Sequence, residues 1–157
     1  MFLHEVFPPE LIKVNMEAED KDEAFEELVD HLCQVEHSGI REEVLGALRE
    51  REAKMSTGIH KGIAIPHGKT NALDDIKGVL GISKKGIDYD ALDGEPVYLL
   101  FTILTPERDS EQHLHVLKRL VGLLNNPDFY NELAAQNDSQ GAHRIIKKYE
   151  DPLTALD

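Results

Sequence analysis

The sequence predicts an α/β fold in which a single-domain mixed β-sheet is flanked by helices on both faces, giving a three-layer α/β/α sandwich. Short apolar segments of strand length are interleaved with longer segments whose apolar residues recur at helical spacing. One segment, Val97–Leu104, is apolar at almost every position, which is typical of a central strand covered on both faces. A chain of 157 residues suits one domain, and we expect it to fill residues 1–157 with a core from about residue 11 to 149.

Composition limits the classes of partner and compartment. The net charge of −13 argues against nucleic acid and anionic membrane surfaces as partners. Cys33 is the single cysteine, so no internal disulfide can form. No stretch approaches the ~20 apolar residues needed to cross a bilayer, and the first residues lack the pattern of a secretion signal. We therefore expect a soluble cytoplasmic protein, without direct membrane insertion, that meets small molecules or other proteins.

The first elements are a strand and a helix. Leu11–Met16 is rich in β-forming residues and predicts a first strand. Asp20, with Glu23 three residues later, has the pattern of a helix N-cap and capping box. The helix that follows carries an apolar stripe at helical spacing and ends at His37-Ser38-Gly39. The stripe consists of Ala24, Phe25, Leu28, Val29, Leu32 and Val35.

A second helix, from about Ile40 to Lys54, carries an arginine where an apolar residue would be expected. At about 100° per residue, Arg51 falls at the centre of the apolar face, whereas Arg49 points the opposite way. An unpaired guanidinium directed at a core is costly. Either Glu52 or another acid pairs with Arg51, or Arg51 lines a cleft and binds an anion. The apolar face comprises Ile40, Val44, Ala47 and Leu48.

The stretch Gly58–Lys69 presents a histidine. A short β-type run is stopped by Pro66, which lacks an N–H, so that His67 projects from a rigid strand end. Glycines at positions 58, 62 and 68 leave this imidazole accessible, as a nucleophile or a ligand would be. Just before this stretch, the hydroxyls of Ser56 and Thr57 could bond a phosphate or cap a turn, and the turn is favoured.

The second half of the chain predicts further strands and three helices. The long helix begins at Asp109 or Ser110 and reaches Leu124, with Leu117, Leu120, Val121 and Leu124 buried. The remaining segments are a strand at 78–83, turns and loop over 84–96, the central strand at 97–104, short helices at 127–135 and 139–149, and a frayed tail at 150–157.

The long helix places a second histidine on a buried face. His113 lies one turn before Leu117, whereas His115 is about 200° away, on the polar side with Arg119. A lone inward-facing histidine is usually a core residue. Together with Arg51, and with His67 projecting from its strand end, His113 nevertheless becomes a candidate site residue.

Several chemistries can be weighed against these residues. A zinc site needs about three or four converging ligands, and His113 and His115 face different directions on one helix. Neither a Gly-x-Ser-x-Gly motif nor a nucleotide-binding glycine loop is present. Phosphoryl transfer onto His67 asks for a neutral imidazole nitrogen, a cation such as Arg51 and a donor such as His113. It needs no metal or cofactor, and the donor would be another phosphoprotein.

The motifs around these residues resemble a known family, the IIA domain of the bacterial phosphoenolpyruvate-dependent phosphotransferase system, of the fructose, mannitol and nitrogen-regulatory type (EIIA type 2). The resemblance extends from about Leu11 to Tyr149. The matching segments are Arg51-Glu52, Ser56-Thr57-Gly58, Gly62-Ile63-Ala64-Ile65-Pro66-His67-Gly68, Gly86-Ile87-Asp88, Asp93-Gly94-Glu95-Pro96-Val97, Pro106 and His113-Leu114.

The resemblance implies roles for individual residues. His67 would take a phosphoryl group, on Nε2, from the phosphocarrier protein HPr or its nitrogen-branch counterpart. His113 would be the second active-site histidine, and Arg51, with Thr57 of the following motif, would bind the phosphoryl group. His60 departs from the family, which commonly has a small residue there, and its side chain is expected to be surface decoration rather than part of the site.

The resemblance leaves the destination of the phosphoryl group open. The chain carries no IIB or IIC segment, so we expect a free-standing IIA, and the segments at 57–58, 87–88 and 93–94 favour the nitrogen-regulatory type. There, phosphorylation of His67 would set which target proteins bind. The alternative is a sugar-specific IIA that donates to a cysteine of a IIB domain. A regulatory binding module with a vestigial site is an alternative of another class, and a metal-dependent hydrolase is a distant third.

Overall fold

A six-stranded mixed sheet forms the middle layer of the computed structural model, which describes the backbone of residues 1–156 and the side chains of residues 1–151. Helices cover both faces, and none within the described part is long and apolar enough to cross a membrane. The helices are α1 Leu3–Val6, α2 Lys21–Val35, α3 Arg41–Glu52, α4 Ser110–Leu124, α5 Pro127–Ala134 and α6 Ser139–Leu156. The strands are β1 Ile12–Lys13, β2 Gly58–His60, β3 Ile63–Ala64, β4 His67–Lys69, β5 Lys77–Ile87 and β6 Val97–Thr105.

The predicted central strand is β6. The strands lie in the order β1-β5-β6-β3-β2, with β4 also paired to β6. Strand β5 runs antiparallel to β6, whereas β3 and β4 run parallel to it. Alternate residues of β6 enter two apolar cores: Leu100 packs on the side of α2 and α3, and Phe101 on the side of α1, α4, α5 and α6. The predicted mixed sheet with helices on both faces is confirmed.

Pro66 lies between two short strands, β3 and β4, that both pair with β6. Ala64 in β3 pairs with Leu100, and His67 in β4 pairs with Ile103, so both strands keep one register along β6. The Pro66 carbonyl still accepts a bond of 2.9 Å from the Ile103 N–H. Because proline lacks only the N–H, one ladder bond is lost and the pairing resumes. The run therefore ends before Pro66, as predicted, but His67 opens a further strand, β4, in the same register.

Two other strand boundaries differ from the prediction. Strand β5 continues to Ile87 through the predicted loop, because Gly86, at φ +87°, permits a register shift between Ile82 and Ile87. Strand β1 is only Ile12–Lys13, because Asn15 adopts φ +59° and turns the chain.

Helix α2 begins as predicted. The Asp20 carboxylate accepts a bond of 2.9 Å from the Glu23 N–H, so the N-cap is confirmed. Glu23 does not complete a capping box, because its carboxylate accepts from the Glu19 N–H instead of the Asp20 N–H. Val35, the last residue of the predicted stripe, is 43% exposed.

The end of the chain and the buried face of α4 both differ from the prediction, and they meet at one ion pair. Glu150, assigned to a frayed tail, is fully buried and forms an ion pair of 3.1 Å with Arg119, assigned to a polar face. The buried face of α4 includes Arg119 together with Val116 and Leu123, whereas Val121 is 46% exposed. Helix α6 continues to Leu156, and Asp157 lies outside the described residues.

Candidate active site

Gly68 brings helix α3 against the strand that carries His67. A Cβ placed on Gly68 would lie 3.0 Å from the backbone carbonyl of Ala47, so a side chain there would force α3 away. Arg51 lies one turn after Ala47, on the same side of α3. The close approach therefore sets the position of Arg51 relative to His67.

The other two glycines of this stretch pack away from His67, so the predicted role of glycines in exposing the imidazole was wrong for both. A Cβ on Gly58 would meet the side chains of Tyr89 and Ala91. Gly62, at φ +85°, follows Lys61 at φ +48°, and the two residues form the tight turn between β2 and β3. His60 precedes this turn and does not line the cavity that His67 lines.

A cavity of about 480 Å³ lies between α3, β4 and α4. It brings together three of the predicted site residues, His67, His113 and Arg51. The two imidazole rings lie 5.4 Å apart between centroids, with their planes tilted by 49°. The complete lining is Ala47, Glu50, Arg51, Lys54, His67, Gly68, Lys69, Glu107, His113 and Leu117.

The backbone fixes the tautomer of His67. Nδ1 lies 2.9 Å from the carbonyl oxygen of Ile65, and a carbonyl can only accept, so Nδ1 carries the hydrogen. The lone pair is therefore on Nε2. Burial lowers the pKa of His67, and the Arg51 charge lowers it further, against opposing effects of the Ile65 bond and the Glu52 carboxylate. A neutral imidazole with a free Nε2 lone pair is a competent nucleophile.

His113 is neutral as well. Its side chain is buried, with Nδ1 2.7 Å from the hydroxyl oxygen of Thr105. Burial, and then the nearby His67 and Lys69, lower the pKa of His113 to about 4. The bond to Thr105 occupies Nδ1, which leaves Nε2 as the nitrogen available to the cavity.

Arg51 resolves the alternative left open by the sequence. Its guanidinium donates a bond of 2.9 Å to the Met55 carbonyl, and among the described side chains no carboxylate pairs with it. Glu52, the acid considered as its partner, instead binds Lys21 at 3.0 Å and Thr57. Arg49, two residues earlier, pairs with Asp22 on the solvent side, as predicted. Arg51 thus lines the cleft with its charge uncompensated by an ion pair.

Thr57 does not line the cavity. Its hydroxyl donates to the Glu52 carboxylate and lies 2.7 Å from the Tyr89 hydroxyl, and its N–H donates to Glu52 at 2.9 Å. Burial alone would raise the pKa of Glu52, but the bonds from Thr57 and Lys21 lower it. These bonds close the turn between Glu52 and Thr57, which contains the Met55 carbonyl that Arg51 binds.

Lys69 and Thr105 are two residues of the site that sequence reasoning missed. The Lys69 ammonium lines the cavity and donates to the Ser110 hydroxyl at 2.8 Å. Its spacing from His67 could have indicated this position, because residues two apart in a strand point to the same face of the sheet. Thr105 gave a weaker signal, since it merely ends an apolar run. The lining also includes Lys54, so three cationic side chains, Arg51, Lys54 and Lys69, border the cavity together with the carboxylates of Glu50 and Glu107.

Comparison with known proteins agrees with this geometry. Residues 5–149 match the family model described as "Phosphoenolpyruvate-dependent sugar phosphotransferase system, EIIA 2". The chain is 33% identical to the fructose-specific EIIABC component of Bacillus subtilis, over 96% of this chain but 24% of that protein's length. It is 32% identical to a nitrogen regulatory protein of Bradyrhizobium diazoefficiens, over 93% of this chain and 95% of that one.

Solved structures give the same result. The nitrogen regulatory protein IIA-Ntr of Neisseria meningitidis superposes with a TM-score of 0.83 at 30% identity, covering 92% of this chain and 98% of that one. The enzyme IIA for mannitol of Escherichia coli, solved in complex with phosphorylated enzyme IIB, shares the fold at a TM-score of 0.73 and 20% identity, covering 88% and 95%. The family model matches residues 5–149, and it is the family that the motifs around His67 predict. The chain therefore belongs to the EIIA type 2 family of the phosphoenolpyruvate-dependent phosphotransferase system, as a phosphoryl-transfer component.

Proposed function

We propose that the chain accepts a phosphoryl group on Nε2 of His67 from the phosphohistidine of an HPr-type carrier. The observation that carries this proposal is the hydrogen bond from His67 Nδ1 to the Ile65 carbonyl, because it leaves Nε2, with its lone pair, as the reactive atom. The cavity around it contains Arg51 and has room for the substrate group, and the family match supports an HPr-type carrier as the donor.

The transfer balances without an added acid or base. The Nε2 lone pair attacks phosphorus as the N–P bond of the donor breaks, and the donor nitrogen keeps the electron pair of that bond. A donor ring protonated at its other nitrogen leaves as neutral imidazole. His67 retains its Nδ1 hydrogen, and the Ile65 carbonyl stabilises the positive charge that develops on the ring.

Three neighbours have distinct parts in this proposal. The Arg51 guanidinium binds phosphoryl oxygens, oriented by its bond to the Met55 carbonyl. Thr57 contributes through the turn that it fixes with Glu52. His113 donates to a phosphoryl oxygen through Nε2, and Lys69 adds charge at the rim.

Labelling from phosphoenolpyruvate tests this function. With enzyme I and HPr present, the wild-type chain should gain acid-labile phosphate, and ³¹P NMR should place it on a histidine Nε2. His67→Ala should abolish labelling, whereas His60→Ala and His115→Ala, which change exposed histidines outside the cavity, should label normally. Label retained by His67→Ala would refute the assignment. Absence of label from the wild type would favour a binding module with a vestigial site.

The acceptor is either a regulatory target or a IIB domain. We favour the nitrogen-regulatory role, supported by the likeness to IIA-Ntr, and we place the reaction in the cytoplasm, as the composition suggests. The identity to a fructose-specific protein, and the complex formed by the mannitol relative with enzyme IIB, support the sugar alternative. The labelled chain discriminates these roles when mixed with a IIB domain. Rapid loss of label to the IIB cysteine supports sugar transfer, and stable label supports the regulatory role.

A further inference from the structure

The hydroxyl of Thr105 has a single protein partner within the described residues. Thr105 is fully buried at the end of β6, and its Oγ1 lies 2.7 Å from Nδ1 of His113. Its backbone groups are engaged in the sheet, where Thr105 pairs with Lys69 and its carbonyl accepts from the Thr70 N–H. The Thr105–His113 contact is therefore the one place where the hydroxyl hydrogen can be used.

Two tautomers of His113 are compatible with this distance, but they differ in what remains unsatisfied. If Nδ1 carried the hydrogen, it would donate to Thr105, and the Thr105 hydroxyl hydrogen would be buried without an acceptor. If Nδ1 is the acceptor, the hydroxyl donates to it, and every polar group of the pair is satisfied. The hydrogen of the imidazole then lies on Nε2, at the cavity that His113 lines.

We propose that Thr105 is a positioning residue that holds His113 in the Nε2–H tautomer, so that His113 can donate a hydrogen bond to the phosphoryl group. This inference rests on the proposed function of His67. The two histidines then have opposite tautomers: His67 presents a lone pair on Nε2, and His113 presents an N–H. The other tautomer of His113 would direct a lone pair at the phosphoryl oxygens and repel them.

The low pKa of His113 is consistent with this assignment. A pKa of about 4 keeps the ring neutral near neutral pH, so that its donor comes from the tautomer and not from protonation. Lys69 and His67 also face this ring, and both disfavour its charged form. A neutral donor binds the phosphoryl group without holding it as tightly as a second imidazolium charge would.

The same strand offers a matched control. Thr102 lies three residues before Thr105 in β6 and is also buried, but its hydroxyl has no hydrogen-bond partner among the described residues. Thr102→Val and Thr105→Val therefore make the same chemical change at neighbouring buried positions of one strand. Thr105→Ser retains the hydroxyl and should restore whatever the valine variant loses.

Nitrogen-15 NMR of the histidine side chains tests the tautomer without any phosphoryl transfer. In the wild type and Thr102→Val, His113 should show protonated Nε2 and unprotonated Nδ1, and His67 the reverse pattern. In Thr105→Val, the His113 nitrogen shifts should move towards averaged values, and Thr105→Ser should recover the wild-type pattern. A wild-type His113 protonated on Nδ1 would overturn the proposal.

Rates of phosphorylation test the consequence. Thr105→Val should accept phosphate about tenfold more slowly at saturating donor, whereas Thr102→Val and Thr105→Ser should stay within about twofold of the wild type. Equal rates for the two valine variants would overturn the proposal. If even the wild type is not phosphorylated, the proposed function fails, while the NMR result still decides whether Thr105 fixes the His113 tautomer.

Discussion

Two clusters in this molecule combine an arginine with histidine, and they use their polar groups in opposite ways. In one, the buried Glu150 carboxylate accepts from Arg119 at 3.1 Å, from His4 Nδ1 at 2.7 Å, and from the N–H groups of Leu3 and His4. In the other, Arg51 faces the cavity without an ion pair among the described side chains. The first cluster is closed and the second is open.

The difference separates polar residues that hold the fold from those that can react. The hydrogen bonds of Glu150 connect α6 to α1 and to α4, so this carboxylate joins three helices. His67 and His113 each use Nδ1 for an internal bond and keep Nε2 for the cavity. Burial alone would not separate the clusters, because His113 in the open cluster and Glu150 in the closed one are both buried. Unused hydrogen-bonding capacity at a cavity is the distinguishing feature.

Breaking the closed cluster should give the largest change in stability. Glu150→Gln removes a buried charge beside the Arg119 guanidinium, and we expect the free energy of unfolding to fall by about 3 kcal/mol. Urea unfolding followed by circular dichroism measures it. The phosphorylation rate of the folded protein should not change, because Glu150 does not line the cavity.

A second substitution tests the origin of that loss. Arg119→Met combined with Glu150→Gln removes both charges while an amide oxygen still accepts from the N–H groups of Leu3 and His4. The double variant should be more stable than Glu150→Gln alone. A double variant that is less stable than both single variants would show that the charge pair is not what holds this cluster together.

The sequence predicted the open cluster better than the closed one. Helical phase singled out Arg51 and His113 because both are polar residues at positions where apolar residues repeat. The same method assigned Arg119 to solvent, because its partner Glu150 lies 31 positions away and burial of such a pair depends on tertiary packing. The local pattern therefore finds residues that depart from an apolar stripe. It cannot find polar residues that are satisfied by distant ones.

The strands show the same limit. The apolar run of β6 identified the central strand and both of its covered faces. The register that continues past Pro66, and the shift at Gly86, depend on the neighbouring strand β6 and leave no periodic trace in their own segments. Thr105 is similar, because its importance comes from contact with His113 on another element.

Removing the Arg51 guanidinium should change the rate of phosphorylation more than the stability of the fold. Arg51→Ala removes the guanidinium proposed to bind the phosphoryl oxygens, and we expect phosphorylation of His67 to slow by roughly a hundredfold. The free energy of unfolding should change by less than about 1 kcal/mol, because Arg51 is only half-buried and is not ion-paired within the described part of the chain. Single-turnover labelling from phosphorylated HPr measures the rate.

Arg49→Ala is the matched control for this substitution. Arg49 lies two residues earlier in α3 and is exposed, with its ion pairs to Asp22 and Glu26 on the solvent side. The Arg49→Ala substitution should leave the phosphorylation rate unchanged and lower the free energy of unfolding by less than about 1 kcal/mol. If both alanine variants slow transfer equally, the effect comes from overall positive charge or from α3 itself, and not from a guanidinium at the cavity.

A change of pH should reveal the neutral state of His113 in the folded protein. A histidine whose pKa falls from 6.5 in the unfolded chain to about 4 in the folded protein binds its proton more readily when unfolded. The part of the unfolding free energy that depends on His113 therefore has its full value above pH 6.5. It decreases as the pH falls from 6.5 towards 4, and it stays constant at lower pH. At pH 5 the loss should be about 2 kcal/mol.

Comparing the wild type with His113→Gln isolates this contribution from the carboxylates, which titrate in both proteins. The difference in unfolding free energy between the two should change by about 2 kcal/mol between pH 7 and pH 5, with the wild type losing more. A constant difference would mean that His113 is protonated equally well in the folded protein. The cluster at the cavity would then already hold a positive imidazolium near pH 5, and His113 would not act there as a neutral donor.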